Sequence, residues 1–267
     1  MRDILLLIFL LGWLGFPPGQ TVAQEVGPLL TINGVEFVRV PAGPFTMGSD
    51  TGTEDELPVH TVTLPDYYIT HTEVTIAQYD QFVQATGERR PAGSGRASTH
   101  PVTDVSWFEA LAYCSWLGQK STFITGLPTE AEWEKAARGP DGRLYPWGEA
   151  LDRTRANYGS EDRCCAPDAS DGYIDTAPGG SFPLGASPSG ALEMAGNVRE
   201  WTSSLYWPYP YVSTDGREDP HAAGTRAVHG GSFNDDAFSL RAANRYGLVT
   251  PLRINDLGFR CVAQESL

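Results

Sequence analysis

The sequence predicts one loop-rich α+β domain with little regular secondary structure, and three observations predict it. Short strand-like runs lie near both ends of the chain, at Leu30–Val40, Val59–Leu64 and Leu257–Val262. Between the early and late runs, three Ser/Thr-x-x-Glu/Gln boxes each open a helical pattern. Glycine (29) and proline (20) are abundant and aromatics make up 11% of the chain, so turns are many and large rings supply much of the burial. The 267 residues fit one large domain or two small ones; with no internal repeat or low-complexity tract, one continuous domain is the simplest organisation.

The chain opens on a short apolar run ending at Phe16, behind a single Arg2, and Thr21-Val-Ala23 offers a small-residue cleavage site. Residues 1–23 therefore read as a secretory signal peptide, with an uncleaved anchor as the alternative. The run is short for a bilayer and no later stretch is long and apolar enough to cross one, so no membrane span is expected after signal cleavage. No Cys stands at the cleavage site, which sets a lipoprotein aside. The expected location is secreted or periplasmic. The net charge is −14 and no basic run exists, which argues against nucleic acid and anionic membrane surfaces as partners. An acidic surface is compatible with calcium.

Residues 24–34 read as a linker and first strand, and residues 35–263 as the main domain. Asn33-Gly34 marks the tight turn of a hairpin over Leu30–Val40. Pro41–Gly48 turns into another short strand, residues 49–58 form an acidic loop, and Val59–Leu64 alternates as a strand. The capping boxes are Thr75 with Gln78, Ser106 with Glu109 and Thr129 with Glu132. The first helix places Tyr79, Phe82 and Val83 on one face; the second repeats Phe108, Leu111, Ala112 and Trp116; the third runs to about Arg138. Residues 139–189 are mostly turns and contain Asp168, Asp171 and Asp175, hard oxygen donors of the kind calcium takes. A loop that long needs a staple or a function. Ala195–Trp201 is a turn into a strand, with Trp201 a core candidate.

The last forty or so residues, from Arg226 to Cys261, hold the candidate binding segment. Gly230-Gly231 permits a positive-φ turn, and Leu257–Val262 reads as a final strand with Gly258 at a bulge or close approach. Asp235, Asp236, Arg241, Asn244, Arg245 and Asn255 lie between these ends. A segment tied at both ends with a polar middle suits a binding site. It is equally the loop-rich end of a β-fold. The four Cys allow three pairings. The favoured one joins Cys114, in the second helix, to Cys261, closing a very long loop. Adjacent Cys164 and Cys165 are left as a vicinal disulfide, two thiols or a soft-metal site.

Several blocks then line up in order: Val38-Arg-Val-Pro-Ala-Gly-Pro-Phe-Thr-Met-Gly48, Val74-Thr75, Pro101-Val-Thr-Asp-Val-Ser-Trp107 and Leu127-Pro-Thr-Glu-Ala-Glu-Trp-Glu134, followed by Tyr145-Pro-Trp-Gly148, Gly196-Asn-Val-Arg-Glu-Trp201, Gly230-Gly-Ser232 and Leu257-Gly-Phe-Arg260. Together they resemble the formylglycine-generating enzyme (sulfatase-modifying factor) family over about residues 35–263. The resemblance implies a C-type-lectin-like fold and the Cys114–Cys261 disulfide. It also implies structural calcium. One ion would be held by Asn157 and Asp171 with the main-chain oxygens of Tyr158 and Tyr173. A second would use Glu193, Glu200 and the carbonyls of Gly196 and Val198, departing from the family at Glu193, where it usually has Asn.

The catalytic part of the family pattern does not carry over. Active members oxidise a cysteine of a client sulfatase to formylglycine with two copper-binding cysteines just after Gly-Gly-Ser. Here that segment, Phe233–Leu240, is shorter and has no Cys; the first catalytic position falls near Asp235 and the second has no counterpart. A carboxylate is a hard ligand where Cu(I) wants thiolate, so copper is not expected. The leading reading is a family member that binds a small ligand or client protein in a C-terminal groove lined by Ser232, Asp235, Asp236, Arg241, Arg245 and Asp256. The two arginines equally suit buried pairing with carboxylates. One alternative is an oxidoreductase or protein-maturation enzyme, including formylglycine generation on sulfatases. Another is lectin-like display of variable sequence.

Overall fold

The computed structural model describes residues 27–161, 163 and 165–266. The expected signal segment and Cys164, with the question of its pairing, lie outside the described residues.

The chain begins as expected, with an antiparallel hairpin of β1 (Leu30–Ile32) and β2 (Val35–Val40). Asn33 and Gly34 both take positive φ, 48° and 81°, as a tight turn between twisted strands needs. β3 (Gly43–Met47) and β4 (His60–Leu64) form a separate two-stranded ribbon around the acidic loop. β5 (Tyr67–Thr70) then pairs with β2.

Three helices follow, and each starts at its predicted capping box: α1 (Ile76–Thr86), α2 (Trp107–Leu117) and α3 (Glu130–Arg138). β6 (Phe123–Gly126) separates the last two. The buried face of α2 differs from the sequence expectation. Phe108 and Ala112 are exposed, and Leu111 and Trp116 only flank the core. Trp107, Ala110, Cys114 and Leu117 face inward instead, at helical spacing. Two ties fix that rotation: Trp107 Nε1 donates to the Thr202 carbonyl at 2.8 Å, and Cys114 bonds to Cys261 across a Cα separation of 5.5 Å.

The second half returns to sheet. β7 (Arg199–Leu205) sits between β8 (Thr225–His229) and β10 (Leu257–Phe259), with β9 (Tyr246–Val249) at the far edge beyond β8. The single run expected over Leu257–Val262 is in fact two strands in two sheets. β10 runs parallel to β7, and β11 (Val262–Glu265) pairs with β5 and β6 in the five-stranded sheet that also holds β1 and β2. The break falls at Arg260 and Cys261, whose side chains are held by Glu200 and by Cys114 respectively. Gly258 is a close approach, as expected: a Cβ there would stand 2.8 Å from the Val102 carbonyl oxygen.

The main core lies under this closure, where Trp107, Tyr113, Trp201, Phe259 and Leu257 pack with α1 residues Tyr79 and Phe82. Among the described residues, 139–198 contain short 3-10 turns and isolated bridges but no strand or α-helix, so this long loop is held by side chains and backbone contacts rather than by ladders. No helix among the described residues is long and apolar enough to cross a membrane.

Candidate functional site

The candidate site forms where the strand ends of β7, β8 and β10 meet. Register Leu257↔Arg199 brings Asp256 beside Arg199, and the Arg199 amide donates to the Asp256 carbonyl at 2.9 Å. β8 is followed by Gly230-Gly231, both at positive φ, where a Cβ on Gly231 would meet the Ser239 carbonyl oxygen at 2.9 Å. That turn delivers Ser232 and Asp235 to the other side of Arg199.

Arg199 is the hub. Its guanidinium donates to Asp256 Oδ2 at 2.7 Å and makes a second, very short bond to Asp235 Oδ1. Ser232 Oγ donates to Asp235 Oδ2 at 2.9 Å and lies 3.3 Å from Asp256 Oδ2. Asp235 is 1% exposed, and burial pushes its carboxyl above the ordinary range against the pull of Arg199 and Ser232. Two carboxylates thus share one guanidinium. Asp236 continues the polar path through Ser239, whose hydroxyl donates to Asp236 at 2.8 Å and stands 3.0 Å from the Tyr246 hydroxyl. The residues flanking Cys164 cover this segment from outside: Gly159 N donates to the Asp235 carbonyl at 2.9 Å and Cys165 N to the Asn234 carbonyl at 2.8 Å.

The structure places Ser232, Asp235 and Asp256 around Arg199, with Asp236 bonded to Ser239 beside them, while Arg241 and Arg245 pair elsewhere. Arg241 makes a two-pronged pair with Glu56, at 2.9 and 2.6 Å, and Arg245 does the same with Glu130, at 2.6 and 2.8 Å. Each arginine is neutralised one-to-one by its own carboxylate, so the two pairs tie the segment down. Of the two readings of these arginines, buried pairing is the one the geometry shows. Arg199 escaped the sequence reading. Its signal was the alternation of β7, which turns Glu200 inward to Arg260 and Arg199 toward the strand ends. Two open polar pockets, of about 380 and 270 Å³, lie elsewhere, beside His71 and beside Arg138.

The expected cation ligands lie in the long loop. The Asn157 amide nitrogen donates to the Asp175 carbonyl at 2.8 Å and to Asn197 Oδ1 at 3.2 Å, which leaves its own Oδ1 buried without a hydrogen-bond partner among the described residues. Asp171 has a fully buried carboxylate that accepts from Tyr173 N at 2.9 Å and Tyr158 N at 3.3 Å, and burial pushes it above its ordinary range. Arg153 donates to the Tyr158 carbonyl at 3.0 Å, but that oxygen keeps a second lone pair. An orphaned amide oxygen beside a buried carboxylate fits a hard cation. At the second set, Glu193 accepts from the Gly180 and Phe182 amides, while Glu200 is held by Arg260 and Trp133. Gly196 abuts Asn157, where a Cβ would come within 2.2 Å of its carbonyl oxygen, so the two sets adjoin. Among the described residues no three Asp, Glu, His or Cys side chains converge as a metal-holding group, so any ion here draws on carbonyl and amide oxygens as well.

Residues 23–265 match the family model of the sulfatase-modifying factor enzyme 1-like domain. The chain belongs to the formylglycine-generating enzyme family. The formylglycine-generating enzyme of Streptomyces coelicolor is 34% identical over 313 residues, covering 94% of this chain and 96% of the relative. The inactive C-alpha-formylglycine-generating enzyme 2 of Bos taurus is 30% identical over 294 residues, 90% of each chain. Among solved structures, PvdO from Pseudomonas aeruginosa matches with a TM-score of 0.72 at 26% identity, covering 91% of this chain and 100% of that one. The mixed, loop-rich architecture is the C-type-lectin-like fold of formylglycine-generating enzymes. In this member the segment after Gly230-Gly-Ser232 offers Asp235 and no Cys, and the chemistry of its donors does not fit copper.

Proposed function

We propose that this formylglycine-generating-enzyme-like protein is secreted and binds a client protein or small ligand at the strand-end cluster of Ser232, Asp235 and Asp256, without copper-dependent cysteine oxidation. The observation that carries the reading is the state of Asp235. It stands near the family's first catalytic position as a buried carboxylate already bonded to Arg199 and Ser232. A hard, committed carboxylate supplies neither the soft ligand for Cu(I) nor the thiolate for the oxidation.

What the cluster offers instead is one net negative charge, from two carboxylates on one guanidinium, next to the hydroxyls of Ser239 and Tyr246. Such a site suits a cationic or hydroxyl-rich group. Calcium is part of the same reading: Asn157, Asp171 and the carbonyls of Tyr158 and Tyr173 would hold one ion, and Glu193, Gly196, Val198 and Glu200 a second. When bound, calcium neutralises buried carboxylates and staples a loop that has no ladder of its own. The Cys114–Cys261 disulfide belongs to an oxidising compartment and supports secretion.

The test is a Cu(I) titration against a colour-forming chelator, using a variant in which Cys164 and Cys165 are both serine. The variant is expected to hold no copper. Stoichiometric Cu(I) binding by it would overturn the reading.

A further inference from the structure

Glu73 lies between β5 and α1, 1% exposed, and its Oε2 has no hydrogen-bond partner among the described residues. Its other oxygen, Oε1, accepts from Asn197 Nδ2 at 3.1 Å. Asn197 is fully buried at φ 60°, between the two residues whose carbonyls are proposed for the second ion, and it is saturated. Its Oδ1 accepts from Ala177 N at 2.8 Å and Asn157 Nδ2 at 3.2 Å, while its Nδ2 also reaches the Ala177 carbonyl at 3.3 Å. One locked side chain therefore holds Asn157 with one hand and Glu73 with the other. Each is left with a single bare, buried oxygen.

We propose that Glu73 is the carboxylate ligand of the second calcium ion, and this rests on the calcium reading above. The carboxylates assigned by family position already have both oxygens hydrogen-bonded. Glu200 gives both to Arg260, at 2.6 and 2.7 Å. Glu193 gives both to the Gly180 amide, at 3.2 and 3.1 Å, and one also to Phe182. Glu73 alone of the three keeps a bare oxygen.

The charge balance points the same way. Glu73 feels the charges of Glu193 and Glu200, and Arg260 is the cation that all three share. The guanidinium spends its donors on Glu200 and on the carbonyls of Thr70 and Leu192, and none reaches Glu73. Three buried carboxylates near one guanidinium leave two negative charges when all are ionised, which one divalent ion would cancel; without it, burial and the neighbouring carboxylates push Glu73 well above the ordinary carboxyl range. Uncompensated buried carboxylates are otherwise costly. A cation with hard oxygen preference, flexible geometry and several carbonyl ligands meets these conditions, and calcium is that ion.

The experiment is a calorimetric calcium titration of the chelator-stripped mature protein, alongside Glu73→Gln. Glutamine keeps the shape and the bond from Asn197 but removes the charge. The wild type is expected to bind two ions, and E73Q to lose one of them or weaken it at least tenfold. Two ions in both proteins with equal affinities would overturn the role of Glu73 and leave the calcium reading standing. No ion in the wild type would overturn both. If only one ion binds, its weakening by E73Q supports the role and its indifference overturns it. Should E73Q fail to fold, Glu73→Asp takes its place: it keeps the charge but withdraws the oxygen, and the same weakening is expected. Unchanged affinity in that variant would be an equal refutation.

Discussion

Arg241 and Glu56 face each other in a two-pronged ion pair, 185 residues apart in sequence and closed to solvent on both sides. The pair fastens the C-terminal segment to the acidic loop between β3 and β4. Removing either partner leaves the other as an uncompensated buried charge, which typically costs about 3–5 kcal/mol. R241A and E56A should each show that loss in urea unfolding, and the double variant should lose clearly less than their sum. Additive losses would mean that the two side chains are stabilised independently.

The partners of these arginines show where sequence reading stopped. The capping boxes at Thr75, Ser106 and Thr129 were legible because each is closed within three residues. The Cys114–Cys261 pair and the core position of Trp201 were legible too. Glu56 and Glu130 were not, since nothing local says which of 33 acidic residues a given arginine meets. The face of α2 was misread because Trp107 and Phe108 are adjacent apolar rings, and only the distant Thr202 carbonyl and Cys261 choose between them. The split of the last strand was hidden for the same reason: alternation shows a strand but not its sheet.

Calcium removal is a second test. Chelation should lower the melting temperature and raise amide exchange in residues 155–200, with α1 and α2 little changed. N157A should reproduce part of the effect, because it deletes the orphaned oxygen. An unchanged melting curve, with removal verified by elemental analysis, would count against both ions.

Stability should also fall in acid through Glu109. Burial pushes this carboxyl upward, but hydrogen bonds from Arg89, Arg253 and Ser106 outweigh it and hold it at about 2. A carboxyl with a depressed folded pKa stabilises above its unfolded value and loses that contribution as pH falls through the folded one. Between about pH 4.5 and 2, wild type should therefore lose more stability than E109Q, by about 1 kcal/mol once solvent screening is allowed for. Equal acid sensitivity would remove Glu109 from the explanation.

Reduction of Cys114–Cys261 opens a loop with a sequence separation of 147. Chain-entropy reasoning puts the stabilisation from such closure at about 5 kcal/mol as an upper figure. C114S/C261S should unfold at markedly lower denaturant concentration than wild type, and a midpoint shift near zero would show that the bond constrains little.

The role of Asp235 is most directly tested by mass spectrometry. The mature protein is incubated with oxygen, copper and a peptide carrying the sulfatase-type Cys-x-Pro-x-Arg sequence, beside an active formylglycine-generating enzyme as control. The expected result is an unchanged cysteine mass here and conversion in the control. Conversion of cysteine to formylglycine by this protein would contradict it, and Asp235 bound to Arg199 would then mark a site that works without the family's cysteine pair.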